Sequence, residues 1–234
     1  AMQSYVVRTG KFNVLIDTCI GNHKDRPTRP LWHMKTDSTY MDALNRAGLT
    51  VNDIDFVMCT HLHPDHVGWN TQLEDGRWVP TFPNAKYVFS EKELAHWTEF
   101  QKHSPTLHFT DSVLPIVEAG MTHLVKSDSE LVTGIQLLPT PGHTPDHFAV
   151  RLAQGGKECV VTGDLIHSPL QCACTHLDVR PDTDPAQGRA TRNAFMDKYA
   201  ETETLIATMH FPSPSLGHFV RHGDAFRFRY AARV

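Results

Sequence analysis

The sequence predicts a layered α/β fold in which two β-sheets are flanked by helices. Short apolar runs typical of strands alternate with segments that carry helix start and stop signals, and both halves of the chain show this alternation. Each half also places a cluster of histidine and aspartate directly after a strand. A two-sheet sandwich with a site along one edge accommodates both observations. A chain of 234 residues is near the upper limit for one hydrophobic core, so we expect a single domain over residues 1–234.

The first half begins with a predicted hairpin over residues 4–17, which turns around Thr9 and Gly10. Residues 21–36 form a polar loop with two prolines and three large apolar residues. This composition predicts a loop that covers another part of the protein as a lid. The remaining predictions for this half are a helix capped near Asp37 or Ser38 and stopped by Gly48, a buried strand at 56–60, a loop at 71–83, a strand at 85–89, a helix opened by a capping box at Ser90 and Glu93, and a helix at 112–119.

The second half is predicted to be richer in strands. Apolar runs place strands at 122–125, 135–138, 148–152, 158–162 and 205–208. A long polar loop at 168–183 leads to a helix that starts at Asp184 and Pro185 and runs to about residue 200, since proline at the first helical position leaves no amide unsatisfied. The tail alternates aromatic and charged residues from Phe226 to Tyr230, which indicates a half-buried strand.

Composition narrows the class of protein. Hydrophobic residues make up 40% and charged residues 21%, which is ordinary for a soluble globular protein. The net charge of −4 comes without a run of basic residues, so we expect a small-molecule substrate and no nucleic acid. No run approaches the roughly 20 apolar residues of a membrane span. The five cysteines are scattered and odd in number, which favours a reducing compartment and predicts a cytoplasmic location.

The densest chemical signal follows the predicted strand at 56–60. His61, His63, Asp65 and His66 lie within six residues, interrupted by Pro64, which denies this stretch a regular helix. Their side chains are therefore free to converge on two centres instead of one. A few unrelated surface or core histidines would be the simpler interpretation for one histidine, but not for three with an aspartate at this spacing.

Three more candidates each follow a later strand. His143 sits in a turn fixed by Pro141 and Gly142, Asp164 ends an apolar strand, and His210 precedes Phe211 and a proline. Each is weak evidence alone, because a turn histidine or a helix-capping aspartate is common. Together, four clusters at successive strand ends indicate one site.

The donor set indicates a catalytic metal centre. Imidazole and carboxylate without thiolate suit zinc, with manganese, cobalt and iron as alternatives. A carboxylate can bridge two cations, and Asp164 is the natural bridge. Two adjacent divalent cations lower the pKa of bound water and so supply a hydroxide nucleophile near neutral pH.

These motifs resemble the metallo-β-lactamase superfamily. The stretch HLHPDH from His61 to His66 is similar to its signature, and the GHT around His143, the GD ending at Asp164 and the HFP starting at His210 are similar to its later motifs. The resemblance implies a four-layer αβ/βα sandwich of two mixed sheets, with the site at the sheet edge. It also implies two metal sites and one shared ligand: His61, His63 and His143 for the first metal, Asp65, His66 and His210 for the second, and Asp164 for both.

The retained His210 and its HFP context resemble the methyl parathion hydrolase and quorum-quenching lactonase branches more than true β-lactamases. His63 stands where flavodiiron proteins carry glutamate, which disfavours redox iron chemistry. The resemblance implies hydrolysis of a lactone or similar ester by a metal-bridging hydroxide, with Asp65 or Asp164 passing a proton to the leaving group. Relatives usually carry further strand sequence before the position of Ser4, so the domain is predicted to lack N-terminal strands.

Alternative functions stay open at this point. Among enzymes they are an organophosphate triesterase, a thioesterase resembling glyoxalase II and a β-lactamase, while a nuclease would need a basic tract that the sequence lacks. A metal-binding or sensing module on the same scaffold is the alternative outside enzymes. A homodimer is neither indicated nor opposed by the sequence.

Several further residues have two interpretations each. Asp17 either supports the metal loop by hydrogen bonding or is a plain turn residue. His147, with Asp146, either supports a ligand or is ordinary. His167, three residues after Asp164, either hydrogen-bonds a ligand or faces water, and facing water is the preferred interpretation. Cys172, Cys174 and His176 are predicted to be ordinary loop residues instead of a second zinc site. Trp32, Trp69 and Phe211 either line a pocket or pack in the core.

Overall fold

The computed structural model describes residues 1–232 and contains two compact units, one formed by residues 2–124 and one by residues from 125 onward together with Ala1. Each unit is built on one mixed β-sheet with its own hydrophobic core. The predicted α/β class with two mixed sheets flanked by helices is confirmed. None of the helices among the described residues is long and apolar enough to cross a membrane.

The first sheet has five strands in the order β1-β2-β3-β6-β7. Its strands, with the separate hairpin β4-β5, are β1 (Tyr5–Arg8), β2 (Asn13–Ile16), β3 (Phe56–Met58), β4 (Thr71–Glu74), β5 (Arg77–Pro80), β6 (Lys86–Ser90) and β7 (Thr122–Val125). β1 and β2 form the predicted hairpin, and β2, β3 and β6 run parallel. The carboxyl ends of these parallel strands therefore share one edge, where β3 leads into the histidine-rich motif.

The helices of the first unit are α1 (Thr39–Arg46), α2 (Pro64–Val67), α3 (Glu91–His103) and α4 (Leu114–Glu118), the last preceded by a π-helical turn (Phe109–Val113). Ser90 caps α3 by accepting a hydrogen bond from the amide of Glu93, as the capping box predicts. The helix predicted at 112–119 begins earlier than expected, because the widened turn at 109–113 carries the chain into α4.

The loop predicted at 71–83 is wrong for most of its length, because β4 and β5 form a hairpin there. Asp75 and Gly76 make its two-residue turn, with φ of 49° and 76°. Positive φ at both turn positions matches the right-handed twist of the strands that it joins, and an Asp-Gly pair adopts it readily. The signal was therefore in the sequence, hidden by the surrounding prolines and glycines.

The second sheet has seven strands in the order β14-β13-β12-β11-β10-β9-β8. The strands are β8 (Glu130–Val132), β9 (Ile135–Pro139), β10 (Phe148–Gln154), β11 (Lys157–Val161), β12 (Leu205–Ala207), β13 (Leu216–His222) and β14 (Ala225–Tyr230), and the helices are α5 (Leu170–Ala173) and α6 (Pro185–Tyr199). Among the described strands of this sheet, only β11 and β12 pair in parallel, and the other neighbours are antiparallel. Asp184 caps α6 by accepting from the amide of Gln187, as predicted, whereas β8, β13 and α5 were not predicted.

Candidate metal centre

The first cluster follows the end of β3 in the first unit. His61 is fully buried, and its Nε2 lies 3.0 Å from Nδ1 of His63. The ring of His61 also lies 4.1 Å from the ring of His66, and Nε2 of His66 is 3.8 Å from the carboxylate of Asp65. The motif thus brings its four candidate ligands into one patch, as the sequence predicts.

Pro64 was predicted to deny this stretch a regular helix, but a one-turn helix begins at this residue. It occupies the first position of the one-turn helix α2, with His63 as the N-cap residue in an extended conformation. Proline is tolerated there because its missing amide would have no partner within the helix. The backbone therefore changes from extended to helical after His63, between the first two candidate ligands and the last two.

Asp17 supports this cluster from the end of β2. Its fully buried carboxylate accepts hydrogen bonds from Nδ1 of His66 at 2.7 Å and from the amide and hydroxyl of Thr60 at 2.7 and 2.8 Å. Burial raises the pKa of the Asp17 carboxyl, and the contacts with His66 and Thr60 oppose that rise. The supporting role is therefore the correct one of the two interpretations of Asp17. It also orients the imidazole of His66 through Nδ1.

The backbone around Asp17 is held in an unusual conformation by the metal motif. Asp17 and Cys19 both have positive φ, 55° and 49°. The amide of Thr18 donates to the carbonyl of His66, and the amide of Gly68 donates to the carbonyl of Cys19. A Cβ atom on Gly68 would lie 2.0 Å from the backbone carbon of Ile20, so the two segments approach too closely for any side chain at that position.

The second cluster is assembled in the other unit around Asp164. One carboxylate oxygen of Asp164 lies 2.9 Å from Nε2 of His210, and the other lies 3.3 Å from Nε2 of His143. Asp164 is 4% exposed and follows β11 in a single helical turn (Gly163–Leu165). Gly163 has a φ of 54°, which turns the chain sharply at the strand end. The structure thus brings the three later candidates together, as predicted.

His143 is oriented by a residue that the sequence did not single out. Nδ1 of His143 lies 2.8 Å from the carboxylate of Asp182, whose side chain is 2% exposed. Burial lowers the pKa of His143, but hydrogen bonds and charge from Asp164 and Asp182 outweigh it and raise the pKa to about 9. Asp182 lies in the polar loop 168–183, where no periodicity or motif distinguishes it from its neighbours.

His147 also supports the cluster, which decides between its two interpretations. Its fully buried ring accepts a hydrogen bond at Nε2 from the amide of Asp164 at 2.9 Å, and Nδ1 lies 2.7 Å from the hydroxyl of Thr140. Asp146 accepts from Ser127 instead.

The prediction that His167 faces water is wrong. Its Nε2 lies 3.0 Å from the carboxylate of Asp164, and its ring stacks on that of His210 with the planes 5° apart and the centroids 5.0 Å apart. The helical turn at 163–165 folds the chain back so that a residue three positions after Asp164 returns to its side. The i to i+3 spacing was the available sequence signal.

Other candidates lie outside these clusters. Cys172 belongs to the core of the second unit, and all five cysteines are free. Burial raises the pKa of the Cys172 thiol to about 12. Phe211 packs in the same core, whereas Trp69 stacks on Tyr40 and both line a cavity of about 520 Å³ within the first unit.

The loop at 21–36 is anchored at its base by charges that the sequence did not suggest. Lys24 is fully buried and donates to Thr71 and to the carbonyl of Asp111, while Arg26 makes two hydrogen bonds of 2.7 and 2.9 Å to the Asp111 carboxylate. Burial lowers the pKa of Lys24 to about 7. The predicted lid is thus tied to the π-helical turn, and its far part stays exposed, with Leu31 87% exposed.

The donor chemistry of both clusters fits divalent cations. Within the second unit, the ligand atoms of Asp164, His167 and His210 lie within 4.8 Å of one another, as ligands of one cation do. The second ring nitrogens of His61, His66 and His143 lie within hydrogen-bond distance of Thr60, Asp17 and Asp182. Partners at the second nitrogen leave the first directed at a metal, which is the usual arrangement of metal-binding histidine.

Comparison with known families agrees with these features. Residues 3–202 match the family model of the metallo-beta-lactamase superfamily. The chain belongs to this superfamily. The predicted metallo-β-lactamase fold is confirmed by solved structures as well. The hydrolase AbOPH of the beta-lactamase superfamily matches the whole chain and 80% of its own, with a TM-score of 0.83 and 25% identity.

Two further similarities concern lactonases. The dizinc quorum-quenching lactonase AidC matches the whole chain and 80% of its own, with a TM-score of 0.82, and at 22% identity this likeness concerns the fold alone. An N-acyl homoserine lactonase from Bacillus sp is 30% identical over 114 residues, which is 49% of this chain. The match spans 39% of that relative's length. The predicted similarity to the lactonase branch of the superfamily is confirmed.

Proposed function

We propose that this member of the superfamily is a metal-dependent hydrolase that opens lactones with the help of two divalent cations, zinc being the first choice. One observation carries the proposal: the buried Asp164 carboxylate presents its two oxygens to the ring nitrogens of different histidines, as a carboxylate shared by two cations does. The seven proposed ligands are His61, His63, Asp65, His66, His143, Asp164 and His210.

The ligand roles follow from the contacts within each cluster. Asp17 and Asp182 hold His66 and His143 in the tautomer that carries its proton on Nδ1, so that Nε2 has the lone pair that would bind a cation. Asp164 donates its backbone amide to Nε2 of His147, which holds the backbone that carries this carboxylate. When bound, two divalent cations lower the pKa of water towards neutrality and polarise the oxygen of the group under attack.

Lactone hydrolysis breaks the acyl C–O bond of the ring and adds one water molecule, giving a hydroxy acid. The proton leaves the attacking water, and the ring oxygen takes up a proton as it departs. Asp65 or Asp164 carries this proton, because both are carboxylates of the proposed centre. The substrate class is supported by relatives whose names describe lactonases.

A substrate screen tests the proposal. N-hexanoyl homoserine lactone, paraoxon, S-lactoylglutathione and nitrocefin are compared by kcat/KM on the protein reconstituted with zinc or manganese. We expect the lactone to give the highest value. A higher value for the phosphotriester, the thioester or the β-lactam would replace the lactone by that substrate class, and no turnover with two cations bound would identify a non-catalytic metal-binding module.

His63→Ala tests the metal centre directly. Loss of a ligand should reduce turnover by more than about 100-fold, since loss of a mere supporting contact already costs 10-fold to 100-fold. The control is His176→Gln, at an exposed position of the loop 168–183. Metal analysis of the unaltered protein accompanies the assay, and fewer than two equivalents after reconstitution would refute the two-cation centre.

A further inference from the structure

His167 belongs to none of the seven positions that the superfamily motifs assign, yet it faces the centre of the second cluster. We infer that His167 is an additional, exchangeable ligand of the second cation. The inference rests on the proposed two-cation function and concerns residues of one unit only: Asp164, His167 and His210.

These three residues have the spacing of a metal site. Each offers one ligand atom, and the three atoms lie within 4.8 Å of one another. The Asp164 oxygens lie 3.0 Å from Nε2 of His167 and 2.9 Å from Nε2 of His210. Nitrogen and oxygen ligands at the usual ~2.0–2.2 Å from a tetrahedral zinc ion are about 3.3 Å apart. Small outward shifts of the two rings would therefore admit a cation between them and the carboxylate.

The parallel rings support a shared target. The imidazoles of His167 and His210 stack with their planes 5° apart, so both present the Nε2 edge to the same carboxylate. The two nitrogens approach different oxygens of that carboxylate, His167 at 3.0 Å and His210 at 2.9 Å. His167 therefore adds one nitrogen donor to the four residues assigned above to the second cation, and catalytic zinc sites can expand to five ligands.

His167 differs from the assigned histidines in how its ring is held. Nδ1 of His143 contacts Asp182, and Nδ1 of His66 contacts Asp17. In contrast, Nδ1 of His167 is buried without a hydrogen-bond partner in the described part of the chain. Its side chain is 20% exposed, against 4% for Asp164. A histidine ligand whose second ring nitrogen is not held by a hydrogen bond, and which lies on the solvent side, can leave the cation. Its departure opens a coordination position, which a catalytic site needs for its substrate.

Metal titration tests the inference without reference to activity. Dissociation constants for the first and second zinc equivalents are measured by competition with a chromophoric chelator for the unaltered protein, His167→Ala, His167→Gln and the control His176→Gln. We expect the second constant to rise about 10-fold to 100-fold in both His167 variants, with the first constant and the control unchanged. Unchanged binding in both variants would overturn the inference.

The glutamine variant separates ligation from hydrogen bonding. Glutamine can still donate to Asp164 but is a poor ligand for zinc. Normal binding in His167→Gln with weak binding in His167→Ala would assign His167 a positioning role through Asp164 and overturn the ligand role. Fewer than two equivalents in the unaltered protein would instead refute the proposed two-cation function itself.

A spectroscopic measurement identifies the bond. In His167→Cys loaded with cobalt, a thiolate ligand should add a sulfur-to-metal charge-transfer band that grows with the second cobalt equivalent and not with the first. The same band must be absent from His176→Cys. Absence of the band from His167→Cys that binds two cobalt ions would show that position 167 does not reach the cation.

Discussion

The two ligand clusters are built in opposite ways. In the first unit, all four candidates come from one stretch of six residues that leaves β3 and enters α2. In the second unit, His143, Asp164 and His210 come from three separate strand ends. The first cluster is therefore a local motif held by one distant carboxylate, Asp17. The second depends on the pairing of strands that lie far apart in the chain.

This difference should appear in how each cluster responds to backbone change. A local motif needs only a turn and a close neighbour to keep its shape. An assembled cluster also needs each of its loops to place its ligand at the correct position along the sheet edge. Each loop introduces backbone conformations that few residues tolerate.

The largest effect should come from glycine substitution. A Cβ on Gly142 would lie 2.2 Å from the amide nitrogen of Gly188, and its φ of 127° is strained for any other residue. Gly142→Ala should lower the free energy of unfolding by about 2–5 kcal/mol, combining overpacking with backbone strain. Gly68 does not have a positive φ, but a Cβ at this position would clash with the backbone of Ile20. Gly68→Ala should therefore lower the free energy of unfolding by about 1–3 kcal/mol. Urea denaturation of the metal-free proteins measures both.

Gly223→Ala is the matched control for Gly142, because it has a φ of 59° and nothing within 4 Å of the added carbon. Gly223→Ala should lower the free energy of unfolding only by the ~1–2 kcal/mol that a left-handed backbone conformation costs a residue other than glycine. Equal losses in Gly142→Ala and Gly223→Ala would mean that close packing against Gly188 contributes nothing. A larger loss in Gly68→Ala than in Gly142→Ala would reverse the comparison between the two units.

The supporting carboxylates should follow the glycines in size of effect. Asp17→Asn and Asp182→Asn each remove a charge beside a proposed ligand and should weaken zinc binding about 10-fold to 100-fold. Asn is the suitable replacement at position 17 because it tolerates positive φ. Asp17 accepts from three groups and Asp182 from His143 with a longer contact to Val179, so Asp17→Asn should show the larger loss.

Chelator competition gives the zinc affinities of these two variants, and Asp178→Asn serves as the control. Asp178 also lies in the loop 168–183, but it pairs with the exposed Arg189. Affinities in Asp17→Asn and Asp182→Asn that match the unaltered protein would contradict the supporting roles of both carboxylates.

The smallest effect, when expressed per pH unit, concerns the buried Lys24 of the first unit. The pKa of Lys24 is about 7 in the folded protein because of burial, and about 10.4 in an unfolded chain. Between these values the unfolded chain holds more protons, so the free energy of unfolding should rise with pH by at most ~1.4 kcal/mol per unit and should level off above the unfolded pKa. Lys24→Met should lose this rise.

The pH dependence is measured by denaturation from pH 6.5 to 10 in the unaltered protein, Lys24→Met and the control Lys102→Met, whose side chain is 62% exposed. Parallel curves for the unaltered protein and Lys24→Met would contradict the depressed pKa. A flattened curve in Lys102→Met would show that the rise is not specific to the buried lysine.

Much of the fold could be predicted because strand and helix signals are local. The hairpin of β1 and β2, the capped helices α3 and α6, and the aromatic alternation of β14 each depend on neighbours within a few residues. Elements that were missed lack such signals or have conflicting ones. β4 and β5 lie in a segment rich in proline and glycine, and β8 is only three residues long.

The candidate ligands were predictable for a related reason. His61, His63, Asp65 and His66 are dense enough in sequence to be identified without a structure, and Asp164 gained its meaning from them. Asp182 and His167 were not predicted as parts of the centre. Asp182 reaches His143 only because the loop 168–183 folds back, and the position of His167 depends on one helical turn after β11.

By itself the sequence determined the class of fold, the superfamily and the kinds of ligand atom, because these depend on residue type and short spacing. Only the tertiary structure decided which carboxylate holds which imidazole, since Asp17 and Asp182 are far in sequence from the histidines they orient. It also decided that His167 faces Asp164 instead of water, and that Lys24 is buried against Asp111. Hydrogen bonds between distant residues depend on how the strands are paired, which no local pattern specifies.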